Sequence, residues 1–275
     1  MDLRQLSETP AFQHWMVGLP VAYMVIAGTF RLVNLFPEKL PLGSRSSDYI
    51  SFDIVAGSTL TFMSYVGFTA WFNLQGPQHE WSSSAVEGDK FYSNADFVTN
   101  HLIIPMLSYQ LWNTVICLLL NDLRKPVMIL HHIVTASLAY GCTYPYGAYY
   151  TIFFFGVAES TNIPLTILDI IEKLKLEKKY AAIFKVCQVC FLLSFFIIRV
   201  FMWTVTIYYY LTESAQLIID GVAHSKFHVI TNFFSSFFLT GLQYYWGYCM
   251  IVMVAGGELD TDKQTDADSK QKKMK

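Results

Sequence analysis

The chain has 275 residues, 53% of them hydrophobic, 16% aromatic and only 15% charged. That balance excludes an ordinary soluble domain. A net charge of −2 argues against a nucleic-acid binder, which would show a basic face. The five cysteines (Cys117, Cys142, Cys187, Cys190 and Cys249) all fall in apolar stretches, and their odd number suggests no disulfide framework. Cys187 and Cys190 form a C-x-x-C inside an apolar run, where they read as small core residues.

A spanning helix needs roughly 20 mostly apolar residues. Seven segments qualify, at about 14–36, 51–75, 98–120, 126–144, 147–171, 181–211 and 228–254. The first is longer than the apolar core of a signal peptide and no small-x-small cleavage site follows it, so it reads as a retained span. Tyr144-Pro145-Tyr146 predicts a tight turn that makes the fourth and fifth spans antiparallel neighbours. The polar segment after Ala255 is predicted to be disordered. The expected protein is all-α and polytopic, with about seven transmembrane helices. Its expected organisation is a first helix with its flanks over 1–49, a six-helix body over 50–254 and a tail over 255–275.

Basic residues orient the bundle. One set of loops carries Lys39, Arg45, Arg124, Lys125, Lys173, Lys175, Lys178 and Lys179, and the lysine-bearing tail lies on the same side. The other set has only Arg4, Lys90 and Lys226, and includes the acidic loop 76–97 with Glu80, Glu87, Asp89 and Asp96. The tail is therefore expected in the cytosol. It ends Lys272-Lys273-Met274-Lys275, which resembles the dilysine retrieval signal of endoplasmic reticulum membrane proteins, an address read by coat proteins.

Ionisable groups in hydrocarbon are costly and mark bundle interiors or cavities. His131 and His132 lie in the fourth span, roughly 7–9 Å in from its cytosolic end. Adjacent side chains diverge by about 100° around a helix, so one packing need does not explain both rings. Thr135 shares a face with either ring. In the third span Asn113 is level with the doublet, and Tyr109 lies one turn deeper on the same face. The fifth span carries Glu159-Ser160-Thr161-Asn162-Ile163-Pro164. There Glu159 and Asn162 share a face, and Pro164 is expected to kink the helix and free a carbonyl. Arg199 in the sixth span and Glu159 both fall near midplane and are candidate partners, either as a structural ion pair or as ligand contacts. Gln243 and Tyr244 complete the predicted lining. Asn113, Thr135 and Gln243 also fit plain interhelical hydrogen bonds. No metal site is expected, because adjacent histidines seldom chelate one ion and His14, His79, His101, His224 and His228 lie at other depths.

At these residues the chain resembles the TLC-domain family, which includes ceramide synthases and the translocating-chain-associated membrane protein. The similarity covers about 50–254. It rests on Leu123-Arg124-Lys125-Pro126 followed by Leu130-His131-His132-Ile133-Val134-Thr135, on Glu159 to Leu165, on the Arg199 span, and on Leu242-Gln243-Tyr244-Tyr245-Trp246. The resemblance implies a helix bundle enclosing a cavity open toward one side. In ceramide synthases the histidine pair and a following H-D-x-x-D stretch serve acyl transfer from acyl-coenzyme A to a sphingoid amine. The pair carries over as His131 and His132. The second stretch becomes Ala158-Glu159-Ser160-Thr161-Asn162, which is more similar to the non-synthase members linked to membrane lipid homeostasis.

Two functions follow. One is lipid handling in the endoplasmic reticulum, with an acyl chain or phospholipid held in the cavity by Tyr109, Asn113, Thr135, Asn162, Arg199 and Gln243. The other is an acyl-coenzyme A-dependent N-acyltransferase. In it His131, His132 and Glu159 would be catalytic, with a histidine as general base or nucleophile, and Arg124 and Lys125 would attract the coenzyme's phosphates. Acyl-coenzyme A would then be a co-substrate, and no cofactor is expected. A transporter reading lacks the paired interrupted helices of symmetric halves. Every one of these expectations depends on the two imidazoles opening onto a cavity.

Overall fold

The computed structural model describes residues 3–33, 46–73, 96–143, 147–221, 223 and 225–256. Outside them lie Lys39, Arg45, His79, Glu80, Glu87, Asp89, Lys90, the turn 144–146, His224 and the tail with Lys272 and Lys273. All regular structure among the described residues is helical. A short helix α1 (Leu3–Glu8) precedes α2 (Pro10–Leu32), α3 (Ser46–Asn73), α4 (Asp96–Leu119), α5 (Pro126–Thr143), α6 (Tyr149–Lys173), α7 (Ala181–Ile219) and α8 (Lys226–Val254).

Among the described residues, five helices are long and apolar enough to cross a membrane: α2, α4, α6, α7 and α8. The other two expected spans, α3 and α5, are long helices of more polar composition. Asp48, Asp53 and a series of Ser and Thr residues lower the apolarity of α3, and the histidine doublet lowers that of α5. The hydroxyls on α3 are satisfied locally: Thr59 donates to the Val55 carbonyl at 2.8 Å and Ser64 to that of Leu60 at 2.7 Å. Such back-bonding removes the cost of an exposed polar group in an apolar setting. Two boundaries move from their expected places. Pro10 opens α2, where its missing N–H is harmless. Helix α7 runs on to Ile219, because Thr212, Glu213, Ser214 and Gln216 are polar yet compatible with helix.

Six helices contribute residues to one cavity and neighbour one another in the order α3, α4, α5, α8, α7, α6, and α2 packs against α3 and α4. That last contact is aromatic: Trp15 meets Phe62 at 5.5 Å and Tyr23 meets Trp112 at 6.3 Å between ring centroids. Helices α3 and α6 meet backbone to backbone at Gly67 and Gly156. Small residues allow this, and within lipid, close packing is a main source of helix association.

Three of the helices that line the cavity depart from α-geometry. A π-helical turn, Thr99–Ile103, precedes Pro105 in α4. In α6 a π-helical turn, Ile152–Gly156, runs into a 3-10 turn, Val157–Thr161, just ahead of Pro164. Pro164 has no N–H for the Ser160 carbonyl and its ring crowds that position, so regular α-helix cannot continue unbroken there. This is the break anticipated from the sequence. In α7 the π-helical stretch Phe195–Met202 contains Arg199. Such turns rotate the side chains that follow, and they often mark functional positions.

Candidate functional site

The cavity has a volume of about 950 Å³. On α5 its lining runs from Pro126 to Cys142, about 24 Å of helix. One end lies by the α4–α5 connection, where Asp122, Lys125, Asp169 and Lys173 contribute, and it reaches the exposed residues Val127 and Met253. The other end is lined chiefly by apolar and aromatic residues, including Leu138, Phe154, Ile207, Tyr210 and Leu239.

Both histidines of the doublet line this cavity. Their rings lie 5.3 Å apart, and the Trp246 ring meets His131 edge-on at 5.4 Å. His131 Nδ1 is buried with no hydrogen-bond partner among the described residues. His132 is held by α4, its Nδ1 lying 2.7 Å from Gln110 Oε1. Thr135 also lines the cavity, but its hydroxyl donates to the His131 carbonyl at 2.8 Å rather than to either ring.

On α4, Asn113 Nδ2 donates to Tyr109 Oη at 3.2 Å and Cys117 Sγ to Asn113 Oδ1 at 3.3 Å, which makes a polar ladder one helical turn per rung. The 3-10 turn of α6 carries Glu159 into the cavity. Its Oε2 accepts from Asn162 Nδ2 at 2.6 Å and lies 3.3 Å from the Arg199 guanidinium. Arg199 Nε donates to Thr161 Oγ1 at 2.7 Å. The structure thus joins Glu159 to Arg199, the partners that depth alone suggested. Gln243 is 1% exposed and lines the cavity from α8, with Oε1 unpartnered among the described residues.

The expected phosphate-attracting pair divides. Lys125 lines the mouth. Arg124 is no part of the lining, because its guanidinium turns back onto the Leu118 carbonyl. The nearby cation is instead Lys173, whose Nζ donates to both carboxylate oxygens of Asp53 at 2.7 Å and lies 5.6 Å from the Tyr49 ring centroid. The Asp122 amide donates to Tyr49 Oη at 3.0 Å, so α3 anchors the connection that precedes α5.

A family model described as a TLC domain matches residues 52–252. The chain belongs to the TLC-domain family. No curated protein and no solved structure gives a significant match. The match runs from within α3 nearly to the end of α8, and so reaches all six helices that line the cavity. As a TLC-domain protein with several apolar helices, this is a multi-pass membrane protein with a lipid-related function.

Two parts of this TLC-domain cavity escape the sequence reading. Gln110 lies one position from Tyr109 and three from Asn113, and its only signal is an uncharged amide in the middle of an apolar span. The Asp53–Lys173 pair joins residues 120 positions apart, and Lys173 reads in sequence only as one of several orienting charges.

Proposed function

We propose that this protein binds the acyl chain of a membrane lipid in its cavity and acts in membrane lipid homeostasis in the endoplasmic reticulum. The observation that carries the reading is one largely apolar 950 Å³ cavity with polar and charged residues toward one end. A lipid is built the same way. Its chain would lie along Leu138, Phe154, Ile207 and Leu239. Its polar end would rest near His131, His132 and the Glu159–Arg199 pair, with Asn113, Tyr109, Thr135, Asn162 and Gln243 around it. Ligand sites in helix bundles are commonly built this way, largely apolar with a few polar groups fixing orientation. In this reading α2 to α8 all cross the membrane, the basic loops and the tail are cytosolic, and coat proteins read Lys272 and Lys273.

The test is labelling with a photoreactive fatty acid in membranes, followed by peptide mapping. Support is adduct formation on α5, α7 and α8 residues of the cavity, competed by unlabelled fatty acid. Labelling confined to the outward faces of α2 and α7 would contradict it.

A second reading, acyl transfer from acyl-coenzyme A, draws support from the shallow position of the histidines and from Lys125 at the mouth. A histidine would take the proton of an amine attacking the thioester carbon, and the departing coenzyme thiolate would receive it. That reading requires the His131→Ala, His132→Ala double change to remove one acylated lipid from the cell while expression holds.

A further inference from the structure

We infer that Gln110 is a positioning residue that fixes the tautomer of His132, so that the cavity presents a hydrogen-bond acceptor to a hydroxyl or N–H group on its lipid. The inference rests on the proposed lipid cavity and adds to it the chemistry of the ligand's polar end.

An amide and an imidazole can pair in two ways. In one, the imidazole Nδ1–H donates to the amide oxygen. In the other, the amide N–H donates to a bare Nδ1. The far side of Gln110 decides between them. Its Nε2 donates to Met106 Sδ at 3.3 Å. A thioether accepts and never donates, so turning the amide over would set two lone-pair-bearing atoms against each other and gain nothing. With Nε2 committed to Met106, Oε1 faces His132 at 2.7 Å, and Nδ1 must carry the proton. The lone pair then resides on Nε2, the outer nitrogen of a ring that lines the cavity.

Burial makes this arrangement consequential. Gln110 is 4% exposed and His132 5%, so bulk water is a poor competitor for either. The surroundings add unmet demand of the same kind. Gln243, 1% exposed, leaves its carbonyl oxygen unpartnered among the described residues. His131 Nδ1 is unpartnered there too and can meet a ligand as donor or acceptor according to its tautomer. The cations that could meet an anionic head group are already engaged at Glu159, at Asp53 and at the Leu118 carbonyl, with Lys125 the exception at the mouth. A neutral hydroxyl or an N–H suits these groups better than a bare phosphate, which brings only acceptors at the depth of the doublet.

Two measurements on the full chain in nanodiscs test this. Ring-nitrogen NMR of histidine-labelled protein, assigned by the His132→Gln variant, should show His132 as the Nδ1–H tautomer. Gln110→Leu should abolish that signature, and Gln110→Glu, which keeps an acceptor there, should retain it. An Nε2–H tautomer in the unaltered protein, or one unchanged by Gln110→Leu, overturns the positioning role. The second measurement compares oleyl alcohol with its methyl ether, which share a chain and differ in the donor. The alcohol should bind about fivefold more tightly, the size of one net hydrogen bond, and Gln110→Leu should remove the difference. Equal binding of the two probes refutes the acceptor site while leaving the lipid cavity standing. Binding of neither refutes the cavity and this inference together.

Discussion

Arg199 reaches Glu159 Oε2 at 3.3 Å while its Nε donates to Thr161 Oγ1 at 2.7 Å, so one guanidinium ties α7 to the 3-10 turn of α6. Side-chain exposures of 9% and 12% leave both charges largely out of water. Removing one member strands the other. Arg199→Ala and Glu159→Ala should each destabilise the protein by about 3–5 kcal/mol, read as loss of thermal stability in detergent. The joint change Glu159→Gln, Arg199→Gln should recover most of that loss if the pair serves only to fix helix register. A stable double variant that no longer binds lipid would assign the pair to the ligand.

The meeting of Gly67 and Gly156 gives a second expectation. A Cβ on either residue would collide with the backbone of the other. Backbone has no rotamer with which to yield, so Gly67→Ala or Gly156→Ala must push α3 and α6 apart. Each should cost about 1–3 kcal/mol, again by thermal unfolding in detergent. A wild-type melting profile for both variants would show that the helices do not approach this closely.

Sequence made part of this site legible and concealed the rest for identifiable reasons. The doublet and the Glu159–Arg199 pair stood out because charge and imidazole are rare within apolar runs, and uniform helical rise converts position into depth. Asn162 beside Glu159 followed from spacing. Gln110 passed unremarked because a lone neutral amide on a helix usually bonds locally. Its importance arises only when α5 sets His132 against it. The rotation of α6 depends on a π-helical turn followed by a 3-10 turn, and Pro164 announces a break without specifying its form. Inward-facing Asp53 and the two histidines make α3 and α5 more polar than the five helices whose composition alone suits a membrane, since both belong to helices that line the cavity.

The mouth gives a third expectation. Asp53 is buried, and Lys173 serves both of its oxygens. Lys173→Met should cost about 2 kcal/mol, in the range of hydrogen bonds to charged groups, and pairing it with Asp53→Asn should return part of that loss. A double-variant cycle on thermal stability reads the coupling. A coupling near zero would mean that solvent at the mouth already screens the pair.

The C-terminal lysines give a fourth. If Lys272 and Lys273 are a retrieval address, then Lys272→Ser with Lys273→Ser should move a tagged protein from the endoplasmic reticulum to later compartments with folding unchanged. Fluorescence microscopy beside compartment markers decides it, and an unchanged reticular pattern would refute the address.

Native mass spectrometry of the protein released from mild detergent tests the central claim most directly. The unaltered chain should carry one acyl-bearing lipid, retained at collision energies that strip the annular lipids, and Leu239→Trp, which fills the apolar end, should lose it while keeping its fold. A bare polypeptide mass for both proteins at that energy, or the same bound lipid in both, would contradict a lipid seated between His132 and Leu239.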